Sequence, residues 1–278
     1  MKLSICIFAC TSIEKYYLQI QKLLDTWANI NDEEVTIRIF CSYDIKFPIQ
    51  VTSESCVVVS LPDVGDDYLS AGKKQNLGLK YIQETLHPDF VFVCGTDTYL
   101  HIQSLKQLLS NINPDKALCI GGHQDTRNLG NESFEFFYGG AGFVLSRGAL
   151  NMLYPSLGTM FQEWEVLCSE MHQPELIPAC DCCISWYIKK MGIKRSVFKN
   201  RFYECNYLGK IDLTDYITKH IDLYRMYGVD MSEVETTYTC CHDVNIQNII
   251  SCHNMKPFEF DTLHNLYASS SSAPLRNG

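Results

Sequence analysis

Apolar residues in the first half of the chain follow two alternating rhythms. Short continuous runs at Leu3–Cys10, Val35–Cys41, Cys56–Leu61, Phe90–Cys94 and Ala117–Gly121 have the length and Val/Ile content of buried strands. Between the first two, Ile13, Tyr16, Tyr17, Ile20, Leu23, Leu24 and Trp27 recur at helical spacing. Further helices are predicted over Leu69–Leu86, stopping before Pro88, and over His101–Asn111. Strands alternating with helices imply an α/β class with a doubly wound, mostly parallel sheet flanked by helices. In the second half, Ser133–Tyr138 alternates weakly, and helices are expected over Ser146–Leu153, Met160–Met171 and Asp181–Met191. The periodicity weakens after Phe202, and the serine-rich end from Ala268 reads as disordered.

Composition narrows the classes of function. A formal net charge of -9 over 278 residues argues against a nucleic-acid binder, which needs a basic face for phosphates. No apolar run approaches the roughly 20 residues of a membrane span. The N-terminal run reads as a strand rather than a signal peptide, so the expected location is cytoplasmic. Most of the fourteen cysteines sit inside apolar runs, as Cys94 and Cys119 do, where a thiol behaves as a small hydrophobe. Reduced thiols are therefore expected.

Open α/β sheets bind ligands beyond the carboxyl ends of their strands. That rule selects Thr11 and Ser12, the stretch Gly95–Tyr99, and the segment after Gly121. Asp97 follows the buried run Phe90–Cys94 and offers an oxygen to a hard cation, or caps the turn that follows. Two adjacent glycines, Gly139 and Gly140, allow a close approach to the backbone, or allow a turn. Asp181 falls where a helix should begin, as an N-cap or first-turn carboxylate that the helix dipole would keep ionised.

Several of these segments resemble the Fringe and beta-1,3-galactosyltransferase family. Phe92–Leu100 resembles the family's strand followed by Asp-Asp-Asp-Thr-Tyr-Val, with Gly95 and Thr96 in place of the first two acids and Asp97 on the metal-binding one. Asp67-Tyr68 and Lys74 resemble its Asp-Tyr-x-Asn-Leu-Thr-x-Lys stretch, in which the lysine could balance diphosphate charge. Gly139–Ser146 is similar to Gly-Gly-Ala-Gly-Tyr-Val-Leu-Ser, and Cys180–Trp186 to the segment whose second acid is the catalytic base, here Asp181. His253, followed by Pro257, matches the histidine that completes the metal site.

The resemblance implies a GT-A nucleotide-sugar-binding fold in one domain, 1–265, with a nucleotide-binding half (1–122), a catalytic and acceptor half (123–265) and a flexible tail (266–278). It implies an inverting glycosyltransferase that moves a hexose from a UDP-sugar to a glycan or protein hydroxyl, forming a beta linkage with Mn2+ or Mg2+. Asp181 would be the base. Asp97 and His253 would hold the metal, and Thr11, Ser12, Lys74, Thr96, Asp97, Gly139 and Gly140 would bind the donor. The lack of an anchor resembles the soluble members of microbes and large viruses. Two alternatives remain open at this stage. One is a noncatalytic sugar-nucleotide binder, since Gly95 and Thr96 depart from the acidic motif. The other is a zinc module built from Cys180, Cys182, Cys183, Cys240, Cys241, His242, Cys252 and His253.

Overall fold

The computed structural model describes residues 1–203 and 249–271, apart from Lys46, Pro48, Thr52, Tyr68, His123 and Asn200. The apolar runs form the expected strands β1 (Leu3–Phe8), β2 (Val35–Ser42), β3 (Cys56–Leu61) and β4 (Phe90–Cys94), all parallel. Helix α1 (Glu14–Asp25) joins the first two, and α2 (Ser70–Thr85) precedes β4. After β4 come the two-residue strand β5 (Tyr99–Leu100), helix α3 (Ile102–Leu109) and strand β6 (Leu118–Gly121).

A hairpin follows, β7 (Gln124–Leu129) with β8 (Glu132–Phe137), and then β9 (Phe143–Ser146). Periodicity did not single out β7 or β9. Strand β9 inserts between β4 and β6, antiparallel to both. With β10 (Lys194–Val197) at the far edge, the seven-stranded order is β10-β6-β9-β4-β1-β2-β3. The sheet is therefore mostly parallel, with one reversed strand near its centre.

Helices cover both faces of this sheet. On one side α1, α3 and a last helix, α7 (Pro257–Ser271), pack over Ile5, Ile37 and Phe92. On the other, α2, α4 (Arg147–Leu153), α5 (Met160–Glu170) and α6 (Cys180–Lys190) pack over Cys6, Val91 and Val93. Burying both faces removes every β4 side chain from water, which stabilises the fold by about 1.5–3 kcal/mol for each large apolar residue. A second, small sheet places β12 (Ser251–Cys252) between β5 and β11 (Phe202–Tyr203).

Helix α7 runs into the segment expected to be a flexible tail. Its first turn is capped by Glu259, whose carboxylate accepts from the Lys256 amide at 2.7 Å, half of a capping box. Tyr267 stacks on both Tyr99 and His101, so aromatic burial holds a stretch whose sequence is otherwise polar. Residues 272–278 lie outside the described residues. All eleven cysteines among the described residues are free thiols. No helix among the described residues is long and apolar enough to cross a membrane.

The reversed strand depends on Gly142, whose φ of 78° and ψ of 160° lie in a region that only glycine enters readily. A Cβ there would lie 2.2 Å from Phe92 Cζ in the core. Gly142→Ala should lower stability by about 2–5 kcal/mol, combining backbone strain with overpacking. Urea denaturation checks this, and a loss under about 1 kcal/mol contradicts it.

Candidate active site

A cleft of about 560 Å³ opens at the carboxyl ends of β1 and β4, where the sheet rule directs attention. The segments following β1 and β4 supply Cys10, Thr96 and Asp97, and the turn before β9 supplies Gly139 and Gly140. The start of α6 supplies Asp181, and His253 comes from just after β12. Motifs spread over most of the chain thus meet in one cavity.

Asp97 and His253 touch. The Asp97 carboxylate oxygen lies 3.3 Å from His253 Nε2, and each side chain keeps between a fifth and a quarter of its surface exposed. Burial alone would raise the Asp97 pKa, but the His253 hydrogen bond and charge, the residue's own amide and Lys15 hold it below the usual value. Two ligand atoms at this separation match adjacent positions around an octahedral divalent ion, which lie about 3 Å apart for bonds of ~2.1 Å. Among the described residues, no group of three or more His, Cys, Asp or Glu side chains is arranged to hold a metal. Cys252 does not join His253, because consecutive strand residues face opposite ways and Cys252 points into the core. Of the cysteines in the zinc alternative, Cys240 and Cys241 lie outside the described residues, as does His242.

Asp181 stands at the first turn of α6. One of its carboxylate oxygens accepts from the Gly139 amide at 2.9 Å and the other from the Cys182 amide at 2.8 Å. These bonds, its own amide and the Arg127 charge favour the anion, yet burial outweighs them and raises the Asp181 pKa. Desolvation of this carboxylate is thus a larger effect than its bonds to the amides at the helix start, which favour the anion.

The glycine pair lines the cleft and also gives clearance to two side chains. A Cβ on Gly139 would meet Asp181 Cβ at 3.0 Å, and one on Gly140 would lie 2.2 Å from the His253 ring. The glycines make room for the Asp181 and His253 side chains. Thr98 ties this turn to the strand end by donating to the Gly140 carbonyl at 2.7 Å.

Thr11 and Ser12 are not among the residues that line the cleft. Asp66 engages them instead: one carboxylate oxygen accepts from the Thr11 amide and hydroxyl and from the Ser12 amide, at 2.6–3.0 Å. Lys74 does line the cleft, but its ammonium is 1% exposed and bonded to the Ala9 carbonyl and Asp66, each at 2.7 Å. A buried cation needs a counterion, and Asp66 supplies it from within the fold. Thr96 lines the cleft while its hydroxyl turns inward to Gln19 Oε1 at 3.2 Å. Asp67 caps α2 through the Ser70 amide, and Tyr68 lies outside the described residues.

Sequence reasoning missed Asp66 and Gln19, which stand behind the cleft's lining residues, and Arg127, Tyr138 and Glu175, which line it. Arg127 stacks over Phe136 and pairs with Asp125, which also accepts from the Tyr138 hydroxyl. The Gly65-Asp66-Asp67 turn carried a readable signal, two acids after a glycine and just ahead of a helix. The others show no local pattern. The Fringe-like family model matches residues 6–269. Chondroitin sulfate synthase 3 of Mus musculus is 29% identical over 114 residues, covering 38% of this chain and 13% of that protein. The matched stretch is thus about an eighth of that relative's length.

Asp66→Ala should lower stability by about 3–5 kcal/mol, because it leaves the Lys74 ammonium buried without its partner. Adding Lys74→Met should recover part of that loss. Although burial opposes it, the Lys74 bond and charge and the Thr11 bonds lower the Asp66 pKa. Its contribution is therefore complete above the ordinary aspartate range and fades as pH falls through the lowered value. Denaturation across pH reads both effects, and a single mutant as stable as wild type refutes the ion-pair assignment.

Proposed function

Since the chain belongs to the Fringe-like family of glycosyltransferases, we propose that it transfers a hexose from a UDP-sugar to an acceptor hydroxyl with inversion, forming a beta linkage. Its mostly parallel sheet flanked by helices has the GT-A fold of that family. One observation carries the reading. The glycine turn 139–140 touches both Asp181, through the Gly139 amide, and His253, through the close packing at Gly140. A proton acceptor and a candidate cation pair therefore share one cleft and one backbone support.

Asp97 and His253 fit Mn2+ or Mg2+ in separation and chemistry: a carboxylate oxygen and an imidazole nitrogen, both facing the cleft. A divalent ion bound there supplies positive charge to offset that of a departing nucleoside diphosphate. The chain's own residues do the rest. Asp181 accepts the proton of the acceptor hydroxyl as that oxygen attacks the anomeric carbon from the face opposite the leaving group. Its raised pKa brings it closer to the working pH than an exposed carboxylate, which favours a general base. The Gly139 and Cys182 amides fix the carboxylate's orientation. One displacement inverts the centre, so no covalent enzyme intermediate forms. The acceptor side of the cleft, with Arg127, Tyr138, Glu175 and Leu176, would receive a glycan or protein hydroxyl.

Asp181→Asn should retain UDP-sugar binding and lower transfer by on the order of 10²–10⁴-fold, the usual contribution of a positioned base. Because one oxygen is lost, one of the two amide bonds goes too, and melting should fall slightly. In the wild type the rate should drop on acidification, with the limb centred above the ordinary aspartate pKa of about 3.9. Unchanged turnover per folded Asp181→Asn molecule would remove Asp181 from the chemistry.

A further inference from the structure

We infer that Gln19 positions the Asp97–His253 pair by tying the two loops that carry these residues to helix α1. The inference rests on the proposed cation reading of that pair and adds a residue to it.

Gln19 lies on the apolar face of α1 with Ile20, Leu23 and Leu24, and it is 2% exposed. Leucine would suit such a position, and burying an amide there is unfavourable unless both its ends are bonded. Both are. Its Nε2 donates to the Met255 carbonyl at 3.1 Å, across 236 residues of sequence, and its Oε1 accepts from the Thr96 hydroxyl at 3.2 Å. Met255 in turn donates its amide to the Asp97 carbonyl at 2.9 Å. Thr96 and Asp97 are neighbours in sequence, so these three bonds close a ring through Gln19.

The ring has consequences for the pair. Asp97 follows Thr96 directly, and His253 is two residues from Met255, across Asn254 at a φ of 58°. Moving either loop would break a bond in the ring and leave a buried polar atom unsatisfied. The turn just after the same helix adds a second tie, the Trp27 indole N–H donating to the Thr98 carbonyl at 3.1 Å. The threonine that stands where an acid was expected therefore has a specific task. Thr96 presents its hydroxyl to Gln19 rather than to the cleft.

The test titrates the full chain with Mn2+ alone and with Mn2+ plus UDP, reading free Mn2+ by electron paramagnetic resonance beside melting temperature. Gln19→Leu keeps the bulk and removes both bonds; it should weaken Mn2+ binding by on the order of 10–100-fold, as expected for partners behind the ligands. Thr96→Val should weaken it in the same direction, Thr96→Ser should restore it, and the double variant should lose less than the two singles combined. Should Gln19→Leu fail to fold, Thr96→Val against Thr96→Ser carries the test. Asp97→Asn serves as the control and should lose binding. Wild-type affinity in Gln19→Leu and Thr96→Val, with binding lost in Asp97→Asn, overturns the role of Gln19 and leaves the cation reading standing. Wild-type affinity in Asp97→Asn overturns the cation reading and the inference with it.

Discussion

A strand that runs against its neighbours must be entered from the end at which they finish. β9 is that strand: it lies between β4 and β6 and starts beside Val93, at the carboxyl edge of the sheet. The turn leading into it therefore has to cross next to the segment 95–98. Gly142 supplies the backbone conformation that starts β9, and Gly139 and Gly140 supply the clearance. From that crossing follow the contact to Asp181, the packing under His253 and the bond to Thr98. A parallel strand in the same slot would have delivered its glycines to the opposite edge, far from any of them.

Three carboxylates are drawn out of water around the cleft, and each is accommodated differently. Asp66 has an ammonium partner and several donors, Asp97 has an imidazole, and Asp181 has backbone amides with only a distant guanidinium. The directions of their pKa shifts follow from those partners. The two with a basic side chain in direct contact are held low, and the one bonded only to backbone amides is pushed up. A single residue type can in this way be given different ionisation behaviour by its partners.

The strands of the parallel core were legible because continuous burial leaves a continuous apolar run, as at Phe90–Cys94. Strand direction was not, since the pattern of Phe143–Ser146 is the same in either orientation. Asp97, Asp181, His253 and the glycine pair were found from local motifs, and all of them line one cleft. Thr11 and Ser12 were selected because they stand near a strand end, and Lys74 because it resembles the family's lysine; their partner, Asp66, could be recognised only once the chain had folded back across them. Gln19 was hidden for a similar reason. A single polar residue in an apolar stripe declares burial, but its partners lie in distant parts of the chain.

The placement of β12 also bears on the order in which the molecule becomes complete. This strand pairs with β5, directly after Asp97, yet belongs to the last part of the chain. The seven-stranded sheet draws on residues up to Val197 alone, and the core on its α2 face draws on none beyond Ile193, so these parts can form while His253 is still far away in space. Contacts of such long sequence separation close late, because the loop entropy must be overcome before they form. During synthesis, a nascent chain would carry the sheet and Asp181 for some time before Tyr267 and β12 dock and the cleft gains its histidine. A complete cleft would then report that this late docking has taken place.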